Sequence, residues 1–166
     1  MKTTKFDEVI RLLTNGGVDF VLIGGLAANA HGSARITFDM DIVYSRAPDN
    51  LTRIADALAP ILPYPRGAPL GLPFRADAET LRCGLNFTFD TTLGPVDILG
   101  EASGGGTYDE LIKTAPLATM YDCEVRYASL DALIRMKTAA GRPKDFETIA
   151  ELEALRLDAK RPLDET

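Results

Sequence analysis

The sequence has no tryptophan, one histidine and two cysteines among its 166 residues. The absence of tryptophan excludes nothing, but the other two scarcities narrow the chemistry. Cys83 and Cys123 lie far apart and lack the paired spacing of a zinc site or a redox motif, so both read as ordinary thiols. His31 stands alone, with no local signature of a nucleophile–base arrangement around it, and is not expected to be a catalytic base. Long apolar runs are also missing. The segment 18–23 is interrupted by Asp19 and falls far below the ~20 residues that span a bilayer, so no membrane segment is expected. Residues 1–8 mix Lys, Thr, Asp and Glu instead of placing an apolar core after a basic start. That pattern is not a signal peptide, and a cytoplasmic location is expected. Positive charge is in deficit: 18 Lys and Arg against 24 Asp and Glu give a formal charge of −6. Coating nucleic acid without specificity requires dense Lys and Arg, and this balance disfavours it.

The length suits one domain that buries roughly 70% of its unfolded surface. An apolar fraction of 46% and a charged fraction of 25% are ordinary for a globular chain. No internal repeat is visible. The charge is unevenly spread: between positions 113 and 144, six basic residues (Lys113, Arg126, Arg135, Lys137, Arg142, Lys144) face three acids (Asp122, Glu124, Asp131), a local excess of +3.

Phe6, Val9, Ile10 and Leu13 recur at helical spacing over residues 5–13, and Asn15-Gly16-Gly17 ends the pattern. Residues 18–23 read as a buried strand closed by Gly24-Gly25, and an alanine-rich stretch at 26–31 predicts about two helical turns. Strict alternation over 38–44 predicts a strand with Asp39 and Asp41 on one side. Asp49 is expected to cap a helix through Ala59, and the five prolines in 60–73 predict a loop. Residues 85–91 and 96–99 read as a hairpin around Gly94-Pro95, which places Asp97 on a strand. Residues 103–106, Ser-Gly-Gly-Gly, lack the following Lys-Ser/Thr of a phosphate loop and read as a flexible linker. Helices are expected at 108–114, 130–140 with Ser129 as cap, and 144–157 with Phe146, Ile149, Ala150, Leu152 and Leu155 buried; residues 124–128 suggest a short strand.

Two aspartates two residues apart on a strand project to one face, about 6–7 Å apart at the α carbons. Hard divalent cations take oxygen ligands from a few carboxylates plus substrate phosphates, and a third acid is needed to hold two ions. Asp39-Met40-Asp41 alone is a common surface pattern. Its weight comes from the glycine-terminated strand before it and from Val96-Asp97-Ile98 after it.

The run Ile23-Gly24-Gly25, then Asp39-Met40-Asp41-Ile42, then Val96-Asp97-Ile98 resembles the signature of the DNA polymerase β-type nucleotidyltransferase superfamily. Within it, residues 31–37 (HGSARIT) and 137–145 (KTAAGRPKD) are similar to small bacterial proteins related to AbiE-type toxins of toxin–antitoxin systems. The resemblance spans about residues 18–155. It implies an α/β (α+β) fold with a mixed central sheet flanked by helices, as a single domain over 1–166 with its C-terminal helices, about 129–157, packed on the sheet. It further implies two Mg2+ ions held by Asp39, Asp41 and Asp97, with Asp97 also helping to deprotonate the acceptor. A nucleoside triphosphate would lie on Gly24 and Gly25, whose backbone a phosphate can approach closely. Gly25 stands where many relatives have serine, and Ser33 is the candidate to supply that hydroxyl. Lys137 and Lys144 are candidates to neutralise the triphosphate, with Arg35 and Arg142 behind them. The acceptor alternatives are RNA, a protein or a small molecule; the basic stretch and the relatives' toxin role point to RNA and to a cognate toxin or antitoxin partner. The alternative to an enzyme is a non-catalytic nucleotide-binding or antitoxin-like module of the same fold.

Overall fold

The computed structural model describes residues 2–162. Helix α1 (Phe6–Asn15) forms where the apolar residues recur, burying Val9, Ile10 and Leu13, and Gly17 turns the chain at a φ of +67°. Strand β1 (Phe20–Ile23) is buried along its length and runs directly into helix α2 (Gly24–Ala30). The glycine pair is therefore the first turn of the helix and not a spacer ahead of it. Strand β2 (Met40–Tyr44) carries Asp41, while Asp39 stands just before it. Helix α3 (Pro48–Leu58) opens on a proline, which needs no N–H there, and Asp49 lies inside its first turn without capping it.

The proline-rich stretch is more ordered than a loop. A 3-10 turn at Ala59–Ile61 leads into a two-residue edge strand, β3 (Tyr64–Pro65), where a missing N–H is tolerated because one side of the strand is unpaired. Helix α4 (Ala78–Cys83), unanticipated, is capped by Asp77, whose carboxylate accepts from Thr80 N at 2.9 Å. The expected hairpin is present as β4 (Asn86–Thr91) and β5 (Gly94–Leu99), but it turns at Thr92-Leu93, and Gly94 and Pro95 lie inside β5 opposite Thr91 and Asp90 instead of forming the turn. β6 (Glu101–Ala102) and β7 (Gly106–Thr107) form a small ribbon, and α5 (Tyr108–Leu111) is a single turn. The ribbon's Gly-rich turn is no flexible linker. A Cβ at Gly104 or Gly105 would collide with Arg135 or Met136, so the turn is pressed against the helix bearing them.

β8 (Leu117–Met120) and β9 (Cys123–Arg126) pair through a two-residue turn with Tyr121 and Asp122 at φ +51° and +64°. Such turns favour Asn-Gly, and Tyr-Asp muted the signal that would have revealed β8. Helix α6 (Leu130–Ala140) has the expected bounds, with Ser129 Oγ accepting from Ala132 N. Helix α7 (Phe146–Ala159) departs from expectation: only Leu152 of its anticipated stripe is buried, and Phe146 is 65% exposed. It packs chiefly along α6, which covers a narrower face than a sheet would.

The five-stranded sheet has the order β1-β2-β5-β4-β3. β2 and β5 are parallel and the other pairs antiparallel, so the sheet is mixed, as the resemblance implied. Alternation along β5 buries Val96 and Ile98 and turns Asp97 to the opposite face. Those apolar residues join Ile10, Leu13, Ile54 and Leu58 from α1 and α3 in one cluster, to which α6 adds Leu130 and Leu133. Among the described residues no helix is long and apolar enough to cross a membrane.

Candidate active site

Register brings the acids together. β2 and β5 align Asp41 with Asp97, and β1 aligns Ile23 with Asp41, so the strand end that carries Gly24 lies beside the Asp41 carboxylate. Gly24 adopts a φ of +68°, and a Cβ there would strike Asp41 Oδ2. Asp41 is thereby enclosed between the glycine turn and a second carboxylate. Burial, followed by the charge and hydrogen bond of Asp97 and the charge of Asp39, pushes its pKa up to about 7, while Lys137 pulls the other way.

Asp97 has a cation of its own. Arg66, immediately after β3, donates from Nη2 to Asp97 Oδ1 at 2.8 Å and from Nε to Asp90 Oδ1 at 3.1 Å. Sequence reasoning missed Arg66. Its one signal was that it is the only charged residue in the stretch 60–73.

A cleft of about 620 Å3 opens beside Asp39 and Asp41, and Asp97 is not among the residues that line it. Its lining includes Gly24, Gly25, Ser33, Arg35, Asp39 and Asp41 together with Lys137 and Arg142. Lys144 is exposed and is not among the lining residues. Ser33 and Arg35 are engaged with α7: the Ser33 hydroxyl, then the Arg35 guanidinium, hold Glu151 below its usual carboxylate range, and Arg35 Nε lies 2.6 Å from Glu151. The hydroxyl nearest the bare glycine belongs to Thr37. A Cβ at Gly25 would lie 2.6 Å from Thr37 Oγ1, so Thr37 fills the space that a side chain at position 25 would take. Thr37 also lines the cleft.

His31 lies outside this chemistry. Its Nε2 is 2.8 Å from the Ala128 carbonyl and its ring meets Tyr127 edge-on, tying α2 to the segment before α6. The six basic residues of 113–144 do not converge. Arg126 lines a separate cavity, Arg135 donates to the Gly104 carbonyl, and Lys137 and Arg142 face the cleft. Those two meet at Asp145, which accepts from Arg142 Nε at 2.7 Å and Lys137 Nζ at 3.4 Å.

Two solved structures share this arrangement of strands and helices. The lincosamide antibiotic adenylyltransferase LnuA, solved with lincomycin bound, matches with a TM-score of 0.60 and 14% identity, covering 93% of this chain and 99% of its own. TM1012 of Thermotoga maritima, a candidate nucleotidyltransferase, matches with a TM-score of 0.56 and 15% identity over 90% of each chain. The fold is that of a nucleotidyltransferase. At these identities the likeness is one of fold. No family model matches the sequence, and no curated protein matches it.

Within this nucleotidyltransferase fold the donor set suits a hard divalent ion. Two carboxylates side by side repel unless a proton or cation lies between them, and Arg66 already supplies positive charge to one of them. Among the described residues no three His, Cys, Asp or Glu side chains are gathered closely enough to hold a metal ion. A pair of carboxylates completed by substrate phosphate oxygens and water is nevertheless a usual donor set for Mg2+.

Proposed function

We propose that this protein moves a nucleoside monophosphate from a nucleoside triphosphate to an acceptor hydroxyl, with release of pyrophosphate. The observation that carries the reading is the pairing of Asp41 with Asp97 beside the Gly24 turn, with Asp41 lining the cleft that Lys137 and Arg142 also line.

Asp41 and Asp97 would hold Mg2+, which when bound supplies positive charge to the phosphates and lowers the cost of an attacking alkoxide, and Asp39 lines the cleft beside them. The chain's own residues do the rest. The room left by Gly24 and Gly25 is taken by Asp41 and Thr37, so a phosphate would instead accept from the unpaired amides at the start of α2. Thr37 offers a hydroxyl at the same place, in the role first assigned to Ser33. Lys137 and Arg142 neutralise the phosphates that leave as pyrophosphate. Asp97 takes the proton of the acceptor hydroxyl, whose oxygen forms a bond to the α phosphorus as the bond to the β-phosphate oxygen breaks.

Two observations favour a small hydroxylated molecule over RNA as acceptor. The basic residues that suggested RNA are spread over different parts of the fold. The cleft volume lies in the range of small-ligand sites, and LnuA was solved holding a small antibiotic. A module that only binds nucleotide would release no pyrophosphate, which separates it from the enzyme.

The test is incubation with Mg2+ and each α-labelled nucleoside triphosphate, with either total RNA or a panel of lincosamides and aminoglycosides. Label on a small molecule, with pyrophosphate released and with both lost in Asp41→Asn, is the expected result. Activity retained by Asp41→Asn would reject the assignment.

A further inference from the structure

Two of the cleft-lining cations, Lys137 and Arg142, belong to a charged cluster built around a shielded carboxylate. Gly141, at a φ of +62°, ends α6, and the 3-10 turn Pro143–Asp145 carries Asp145 inward until its side chain is 4% exposed. Asp145 Oδ2 accepts from Arg142 Nε at 2.7 Å, and Oδ1 accepts from Arg142 Nη2 at 3.3 Å and from Lys137 Nζ at 3.4 Å. Arg142 keeps Nη1, and Lys137 keeps two of its three ammonium hydrogens, for another partner. Both residues line the cleft.

A purely local role for Asp145 fits poorly. It precedes α7, yet its side chain makes no capping bond to that helix. As a stability device the cluster is weak, because withdrawing a carboxylate from water offsets much of what its partners return. What the carboxylate does accomplish is to hold two like-charged side chains together that would otherwise repel and spread into solvent.

We infer that Asp145 is a positioning residue, fixing Lys137 and Arg142 side by side as a clamp for the polyphosphate of a nucleoside triphosphate. The inference rests on the nucleotidyltransferase reading and adds the group that orders the cationic wall. Removing the carboxylate leaves both cations present but unaligned, so phosphate affinity falls while the remainder of the cleft persists.

The experiment measures equilibrium binding, with Mg2+, of inorganic tripolyphosphate and of each nucleoside tri- and monophosphate to wild type, Asp145→Asn and Asp145→Glu. The wild type should bind tripolyphosphate and at least one triphosphate. Asp145→Asn should weaken both roughly tenfold, the scale of losing one aligned charge-assisted hydrogen bond, while monophosphate affinity is kept. Asp145→Glu should recover part of the loss. Equal tripolyphosphate affinity in wild type and Asp145→Asn overturns the inference and leaves the nucleotidyltransferase reading standing, as does an equal loss for mono- and triphosphate. A wild type that binds no triphosphate overturns both. Should Asp145→Asn fail to fold, Asp145→Glu decides, since it keeps the charge but moves the oxygens away from Lys137 and Arg142. A triphosphate-selective loss supports the positioning role, and wild-type affinity removes it.

Discussion

A side chain at position 24 would have to occupy space held by the Asp41 carboxylate, on a backbone whose φ of +68° already disfavours anything but glycine. Gly24→Ala should therefore cost about 1–2 kcal/mol from the left-handed backbone alone, before the displaced carboxylate is counted. Urea denaturation checks this, and wild-type stability in the variant would mean the turn is not as described. Asp41 makes the opposite prediction. Its folded-state pKa, near 7, lies above its unfolded value, so between about pH 4 and pH 7 the native state binds more protons than the unfolded one. Stability therefore falls as pH rises through that window. Asp41→Asn should stabilise the metal-free protein at pH 8 and much less at pH 4. Equal effects at both pH values would show that Asp41 carries no such penalty.

At the scale of elements, legibility followed the range of the interactions. Helix α6 was readable to its ends because the Ser129 cap and the αL glycine at 141 are local devices. Alternation exposed β4 and β2, overrunning β2 at Phe38 and Asp39, and the last four residues of β5 were read from the turn signal before them. The edge strand β3 was hidden by its proline, and β8 by a turn without Asn-Gly. The first of these concealments mattered, because β3 delivers Arg66 to Asp97. That ion pair is partly exposed and contributes about 1 kcal/mol or less, so it acts as a weak competitor for any cation at Asp97. Arg66→Ala should lower the Mg2+ concentration that half-saturates nucleotide binding, by severalfold at most. A rise in that concentration would assign Arg66 to substrate binding instead.

For the whole molecule, the aspartates and the glycine pair were recognisable by type and order, but the pairing of Asp41 with Asp97 was not. Asp41 and Asp97 become neighbours only through the parallel pairing of β2 with β5, a long-range register that no local pattern encodes. The same folding scattered the basic stretch, leaving Lys137 and Arg142 at the cleft and sending Arg126 and Arg135 elsewhere. Net charge along a segment was thus a poor guide to charge at a site. The measurement that addresses the central claim most directly is calorimetric titration of the protein with the four nucleoside triphosphates, with and without Mg2+, in wild type and in Asp41→Asn/Asp97→Asn. The account predicts metal-dependent binding of at least one triphosphate in the wild type and its loss in the double variant. Binding that ignores Mg2+ and survives the double substitution would contradict it.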